Sequence, residues 1–444
     1  MLLNIEKLIY GGDGLARLPA GDAHDVRGRG KAVFVPFVLA GEKIEAALTE
    51  EKPGFARAHA SAILEPSPHR ISPPCPHFAH CGGCHYQYAT YEHQLEIKTE
   101  ILRENLRRIA KLELQCEIVV HPSPPWNYRN RSRLQVRTQP NFAAGYFKFA
   151  SHQLLPVEEC PISSTLINRG IAALWQSGHA GRAVEGVHEI EFFSNDDDSC
   201  LLLEFLCAPE ARRAPVRAWA EDLCATMPEI VGIAAFREPQ KGVQESFVTV
   251  GAPQLTYNTK TAKYRVSAGA FFQTNRFLID ELVDIVTSRS GELVLDLYAG
   301  VGLFSTALSC DFRHVVSVES SQTASTDLTY NLPGNGKAVH AAAEQYLIEL
   351  GDKRRIGNSA VLPQLLQKPD LVVVDPPRGG LGDRAARALA SVGSPHLTYV
   401  SCDPSTLARD LVPLLAAGYR VEAVHLVDLF PQTYHLESVV HLAR

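Results

Sequence analysis

The sequence predicts a multidomain α/β protein: a small N-terminal β-barrel, a central α+β domain, and a C-terminal doubly wound parallel sheet. Three observations carry that expectation. Short apolar stretches punctuated by Gly and Pro fill residues 1–66, the spacing of strands in a small barrel. Cys75, Cys81 and Cys84 crowd together just beyond a proline-rich joint. Past residue 285, apolar runs at 293–297, 315–319, 371–375 and 397–402 alternate with helical or loop segments, as parallel strands joined by crossovers do.

Length and composition narrow the field. A chain of 444 residues exceeds one ordinary core, and domains at 1–66, 67–268 and 269–444 are expected. Apolar content of 45% with 21% charged residues describes a soluble globular protein, not a disordered one. No apolar run reaches the roughly 18 residues of a membrane helix. The opening Met1-Leu2-Leu3-Asn4-Ile5-Glu6-Lys7 lacks a secretory layout, so no membrane partner and a cytoplasmic location are expected. A net charge of −6 excludes a globally basic nucleic-acid binder; any such surface must be a local patch.

Taken in order, the barrel strands are expected at 5–10, 32–38, 43–48 and 58–64, and the prolines of 66–74 form a linker. Residues 92–111 place Leu95, Ile101, Leu102, Leu106 and Ile109 at helical spacing. Arg103, Arg107 and Arg108 lie on or near the polar side, and this helix could pack on the last domain. Residues 126–137 hold Arg129, Arg131, Arg133 and Arg137 without an acid, beside Trp126 and Tyr128. That composition suits a solvated strand face or an RNA-contacting surface. Runs at 420–429 and 437–442 read as a hairpin that adds an antiparallel pair to the sheet.

The chemistry concentrates at the strand ends. Leu295-Asp296-Leu297-Tyr298-Ala299-Gly300-Val301-Gly302-Leu303-Phe304 is a strand, a glycine turn and a helix start. It is not the Gly-x-Gly-x-x-Gly of a dinucleotide loop, and Glu319 closes the next strand, where a carboxylate accepts from ribose hydroxyls. Together these fit S-adenosylmethionine in a class I methyltransferase. The plain alternative is a tight turn beside an exposed Glu. Asp375-Pro376-Pro377-Arg378 stiffens the rim and fixes a carboxylate there.

Cys402, in Ser401-Cys402-Asp403-Pro404, ends another strand on the same rim. A lone Cys there is ordinarily a small core residue, and Glu437 before Val439-Val440 an ordinary strand end. Beside a methyl-donor loop the pair acquires a task. Carbon 5 of uracil attacks a methyl sulfonium poorly, and a thiolate added to carbon 6 raises electron density on carbon 5. A base must then remove the carbon 5 proton.

Cys75-x5-Cys81-x2-Cys84 supplies three thiolates, and Cys160, in a polar proline-bounded loop, is the best fourth. Four thiolates hold zinc or an iron–sulfur cluster. Spacing does not separate the two, and His77, His80 and His85 keep zinc open.

These motifs together resemble the RNA uracil-5-methyltransferases, which make 5-methyluridine. Ser401 to Asp410 looks like the family's nucleophile motif, Gln432-Thr433-Tyr434-His435-Leu436-Glu437 its base motif, and Phe271-Phe272-Gln273-Thr274-Asn275 its cofactor segment. The resemblance implies a Rossmann-like catalytic domain in which Gln273, Tyr298, Glu319 and Asp375 line the S-adenosylmethionine pocket. It makes Cys402 the nucleophile and Glu437 the proton acceptor. It also implies a 4Fe-4S cluster on Cys75, Cys81, Cys84 and Cys160, and an OB-like TRAM barrel over 1–66 with Gly11-Gly12-Asp13-Gly14.

Barrel and cluster together point to 23S ribosomal RNA over transfer RNA; a monomer is expected. Asp403 and Leu303 depart from residues common in the family, and the contact expected near Ala343-Glu344 stays unassigned. A cytosine-5 enzyme would carry a second Cys near Asp375-Pro376-Pro377, and none lies between Cys310 and Cys402. An RNA-binding module with a disused catalytic fold would have no need of Cys402 with Glu437.

Overall fold

The computed structural model describes residues 1–18, 30–237, 246–356 and 368–444. Six strands come first: β1 (Leu2–Asn4), β2 (Lys7–Leu8), β3 (Asp13–Arg17), β4 (Ala32–Pro36), β5 (Lys43–Glu51) and β6 (Phe55–Glu65). They form one sheet in the order β1-β5-β6-β4-β3-β2, and β1 returns against β3, so the sheet curls on itself. Alternation sends Val33 and Val35 inward against Ile5, Ala16, Ile44 and Ala56, a core of small side chains suited to tight curvature. The β2–β3 turn carries Tyr10 and runs through Gly11 and Gly12 at φ of 109° and 95°. Only glycine takes that geometry without strain.

Helix α1 (Tyr91–Arg108) and strand β7 (Ile118–His121) follow. A seven-stranded sheet comes next: β8 (Arg131–Arg137), β9 (Ala143–Phe147), β10 (Leu154–Pro156), β11 (Val187–Ser194), β12 (Leu201–Cys207), β13 (Ile230–Arg237) and β14 (Ser246–Gly251). Its order is β10-β9-β8-β11-β12-β13-β14, parallel between β12 and β13. Helices α2 (Thr165–His179) and α3 (Arg213–Thr226) cover it through Leu174, Trp219 and Leu223. The ribbon β15 (Gln254–Asn258) and β16 (Lys263–Ser267) leads onward.

The last layer alternates helix and strand: α4 (Ile279–Val286), β17 (Gly291–Leu297), α5 (Leu303–Leu308), β18 (Phe312–Glu319), α6 (Gln322–Asn331), β19 (Gly336–His340) and α7 (Ala343–Ile356). Then come β20 (Leu371–Val374), α8 (Gly382–Val392), β21 (His396–Ser401), α9 (Pro404–Ala416), β22 (Arg420–Val427) and β23 (Glu437–Ala443). The sheet order is β19-β18-β17-β20-β21-β23-β22-β7. Strands β17 to β21 pair in parallel, and β20 is four buried aliphatics in a row, as a strand covered on both faces must be. The hairpin expected at 420–442 forms, with β23 antiparallel to both β21 and β22.

Helix α1 and strand β7 lie far back in the chain yet build this layer. Strand β7 pairs with β22, and Leu102 and Leu106 share a core with Leu397, Leu411 and Leu442. Among the described residues no helix is long and apolar enough to cross a membrane.

One buried ion pair ties helix α1 to the segment between β22 and β23. Lys98 donates to Asp428 at 2.5 Å and to the Phe430 carbonyl at 2.9 Å, with both charged side chains fully buried. Tyr91 donates to the same carboxylate at 2.9 Å. Gln94 exchanges hydrogen bonds with Gln432 at 3.0 Å. Removing one partner strands a charge in the interior, so Lys98→Ala should lower unfolding free energy by about 3–5 kcal/mol. Denaturant melts of the two proteins measure it, and a loss below about 1 kcal/mol would deny the pair this role.

Candidate active site

Around the glycine loop the backbone is unusual before any ligand is considered. Tyr298, Gly300 and Gly302 take φ of 62°, 56° and 94°. A Cβ on Gly302 would stand 2.9 Å from Leu328 Cδ1, which could move aside, so it is the φ of 94° that calls for glycine there. A non-glycine residue such as Tyr298 in the left-handed region marks strain held by its surroundings. Part of the restraint is Glu319, whose carboxylate accepts from the Gly300 amide at 2.9 Å and the Ser321 amide at 2.6 Å.

Gln273, Tyr298, Gly300, Phe304 and Asp375 line one small cleft of about 40 Å³ over this loop. Gln273 Nε2 donates to Asp375 Oδ2 at 3.3 Å. Sequence reasoning missed Asp296, beneath the loop. It is fully buried, Ser305 donates to Oδ2, and Oδ1 has no hydrogen-bond partner. Burial, with Asp375 and Glu319 near enough to add their charge, pushes it up to about 7. The available signal was an Asp inside an otherwise apolar strand, where a charge is costly. An acidic cradle with an unsatisfied oxygen, under a glycine loop, fits a cationic nucleoside.

Cys402 and Glu437 meet because of strand register. Ser401 pairs with Ser438 across the antiparallel β21–β23 ladder, and Ser438 Oγ donates to the Ser401 carbonyl at 3.2 Å. Continued one step past the ladder, that register sets Cys402 opposite Glu437 at the rim, and the thiol feels the Glu437 charge. Asp403 then caps α9, accepting from the Ser405 and Thr406 amides at 2.9 and 3.0 Å. Burial first, then Glu437 and Asp375, push the Cys402 thiol up to about 12, against a downward pull from Arg378. Burial and Asp375 raise Glu437 well above the ordinary carboxylate range, and burial raises Asp375 to about 7.

Cys75, Cys81, Cys84 and Cys160 border a single cavity of about 170 Å³, together with Arg129 and Tyr146. The Gly83 amide donates to Cys81 Sγ at 3.4 Å. Burial raises all three clustered thiols, Cys81 to about 11 and Cys84 further; holding thiolates there calls for a cationic partner. Among the described residues no three His, Cys, Asp or Glu side chains form a ready-made site for one metal ion.

Beside it, Arg129, Arg131 and Arg133 line a cleft of about 540 Å³. Two of these cations are not bare. Arg131 pairs with Glu191 at 2.6 Å and Glu204 at 3.4 Å, and Arg133 with Glu189 and Glu191 at 3.2 and 2.6 Å. The acids arrive from β11 and β12, which the local sequence around 126–137 could not reveal.

A parallel sheet with a glycine loop after β17, an acid ending β18 and a reactive rim defines a class I methyltransferase. The comparisons agree. The family model for tRNA (uracil-5-)-methyltransferases matches residues 90–444 and that for the TRAM domain residues 1–61. The chain belongs to the tRNA (uracil-5-)-methyltransferase family and is an S-adenosylmethionine-dependent RNA methyltransferase with an N-terminal TRAM domain.

An uncharacterized RNA methyltransferase of Aquifex aeolicus is 32% identical, covering 99% of this chain and 97% of that protein. One from Streptomyces coelicolor is also 32% identical, covering 93% and 88%. The crystal structure of the Pyrococcus abyssi tRNA (uracil-54, C5)-methyltransferase with S-adenosyl-L-homocysteine superposes at a TM-score of 0.73, with 23% identity and 100% of both chains covered. That likeness bears on the fold.

The raised thiol has a measurable consequence. In the free protein, iodoacetamide alkylation of Cys402 should be far slower at pH 8 than for an exposed thiol, rising about tenfold per pH unit toward the pKa. Peptide mass spectrometry follows it. Complete labelling within minutes at neutral pH would show a thiolate that this environment does not support.

Proposed function

We propose that this protein methylates carbon 5 of a uridine in RNA, with 23S ribosomal RNA as its substrate. The observation that carries the reading is the facing pair Cys402 and Glu437 at the end of the β21–β23 ladder, next to the donor cleft. S-adenosylmethionine, when bound, would supply an electrophilic methyl group and a positive charge. Gln273, Tyr298, Glu319 and Asp375 would hold it.

With the acids ionised by the charge of the bound donor, the Cys402 proton passes to Asp375, whose charge the thiol feels, which leaves Glu437 as the carboxylate that accepts the carbon 5 proton. The Cys402 sulfur bonds to carbon 6 of a uracil turned out of its stack, which directs the ring electrons to carbon 5; carbon 5 would then take the methyl group as the donor's sulfonium–methyl bond breaks, with S-adenosylhomocysteine as the leaving group. Glu437 takes the carbon 5 proton, the carbon 6–sulfur bond breaks, and Cys402 is regenerated. The nearby alternative base is His435, but burial and then Arg378 pull it down to about 3, which leaves it a weak proton acceptor. Glu437 is shifted the other way and is the stronger base.

We also infer that Cys75, Cys81, Cys84 and Cys160 carry a 4Fe-4S cluster, with zinc as the lesser alternative. Four sulfurs spread around a cavity support a body larger than one ion, since thiolates on zinc converge at about 2.3 Å from a point. A transfer-RNA substrate is the second reading. The Pyrococcus neighbour, named for uracil-54 of tRNA, matches along its whole length, so the barrel alone does not separate the substrates.

RNA containing 5-fluorouridine tests mechanism and substrate together, because fluorine blocks the last proton removal. With the methyl donor present, the wild type should form a covalent complex on 23S fragments. Cys402→Ala should form none, and Glu437→Gln should trap ordinary uridine RNA as a slowly released adduct. Adducts on transfer RNA alone would move the substrate; rapid turnover by Glu437→Gln would remove Glu437 from its role. For the cysteines, protein purified without oxygen should contain about four iron and four inorganic sulfide per chain. About one zinc and no sulfide would reverse that assignment.

A further inference from the structure

The TRAM barrel reaches the reactive rim through one side chain. Tyr10, on the glycine turn between β2 and β3, donates from its hydroxyl to the backbone carbonyl of Cys402 at 3.0 Å. The Tyr10 ring meets Tyr434 edge-on, with centroids 5.5 Å apart at 89°. Tyr434 in turn packs against His85 at 4.5 Å and His435 at 4.3 Å. One residue thus touches the nucleophile's own peptide and the segment that leads into Glu437.

The rest of the environment shows why this contact matters. Ser401 Oγ exchanges hydrogen bonds with Asp403, and the Asp403 side chain caps α9. Those bonds hold the residues on either side of Cys402, while Tyr10 holds the Cys402 carbonyl. Burial, then the proximity of Asp403, Cys402 and Tyr434, keep the Tyr10 hydroxyl firmly protonated, so it remains a donor.

The barrel is docked independently. Lys7 pairs with Glu104 on α1, Arg70 pairs with Glu42, and Tyr88 donates to the Val38 carbonyl. Gly12 lies against His85, where a Cβ would approach to 3.3 Å. Loss of one hydroxyl from Tyr10 therefore leaves the barrel seated.

We propose that Tyr10 is a positioning residue for the methyl-transfer reaction, fixing the Cys402 peptide and the Tyr434 segment so that nucleophile and base face each other. The barrel is then part of the active site as well as a domain beside it. This rests on Cys402 being the nucleophile.

Tyr10→Phe keeps the ring and removes only the donor. In single turnovers with RNA and methyl donor both saturating, its rate should fall about three- to tenfold, the range one neutral hydrogen bond supports. Adduct formation on 5-fluorouridine RNA should slow by the same factor and reach the wild-type end point. The Kd for RNA, the Kd for the donor and the Tm should match the wild type, which a merely structural or RNA-contacting role would not give. A wild-type rate in Tyr10→Phe overturns the proposal, as does a loss seen only in the Kd for RNA. Absence of any adduct with the wild type instead removes the nucleophile assignment, and this inference with it.

Discussion

The active site hangs on a charge pair that never sees water. Lys98 and Asp428 are both fully buried, and their bond joins a helix made early in the chain to the segment between the last two strands. Such pairs add little net stability compared with apolar packing, because each charge gives up its hydration. What they impose is uniqueness: Lys98 is the side chain on α1 that meets Asp428 with an opposite charge, and Tyr91 adds a neutral donor to the same carboxylate. From that anchor Tyr91, Gln94, the His85 and Tyr86 amides, and Tyr128 all bond to residues 428–432. The segment is thereby held by the helix, the cysteine loop and the central sheet before it delivers Glu437.

Electrostatics at the rim follow one theme, which is negative charge pressed together and deprived of water. Burial raises Asp296, Asp375 and Glu437, the charge of Asp375 adds to the first and the last, and Glu437 and Asp375 raise Cys402. Without a cation this is an unfavourable assembly, and each group answers by holding its proton. On the proposed mechanism a sulfonium ligand would offset the acids as counter-charge, which would link donor binding to the readiness of the thiol through the same field. The cysteine cavity repeats the logic on a separate wall, with Arg129 among its lining residues.

Much of this was legible in the sequence because it is local. The parallel strands announce themselves as apolar runs, the glycine loop by its two glycines, and Cys402 and Glu437 by their motifs. What the sequence could not convey is what distant segments bring to one another. The facing of Cys402 and Glu437 depends on β23 inserting between β21 and β22. Arg131 and Arg133 read as part of an unopposed cationic run until β11 and β12 supply their acids. Asp296 looked like one polar residue in a strand. Tyr10 carried no local signal, since a tyrosine on a hairpin tip means nothing until the barrel is docked.

The edge strand β7 has a consequence for how the chain acquires its shape. Its partner is β22, and His121 bonds to His425 across a separation of 304 residues. At roughly 5–20 residues per second of synthesis, β7 and the apolar face of α1 wait on the order of 15–60 s for their partners. The barrel and the central sheet can close in that interval, but the catalytic sheet cannot. Its assembly is governed by long-range contacts, the slow kind. Each newly made molecule therefore carries an unpaired strand through most of its synthesis, and stands in need of protection from its neighbours until its last hairpin arrives.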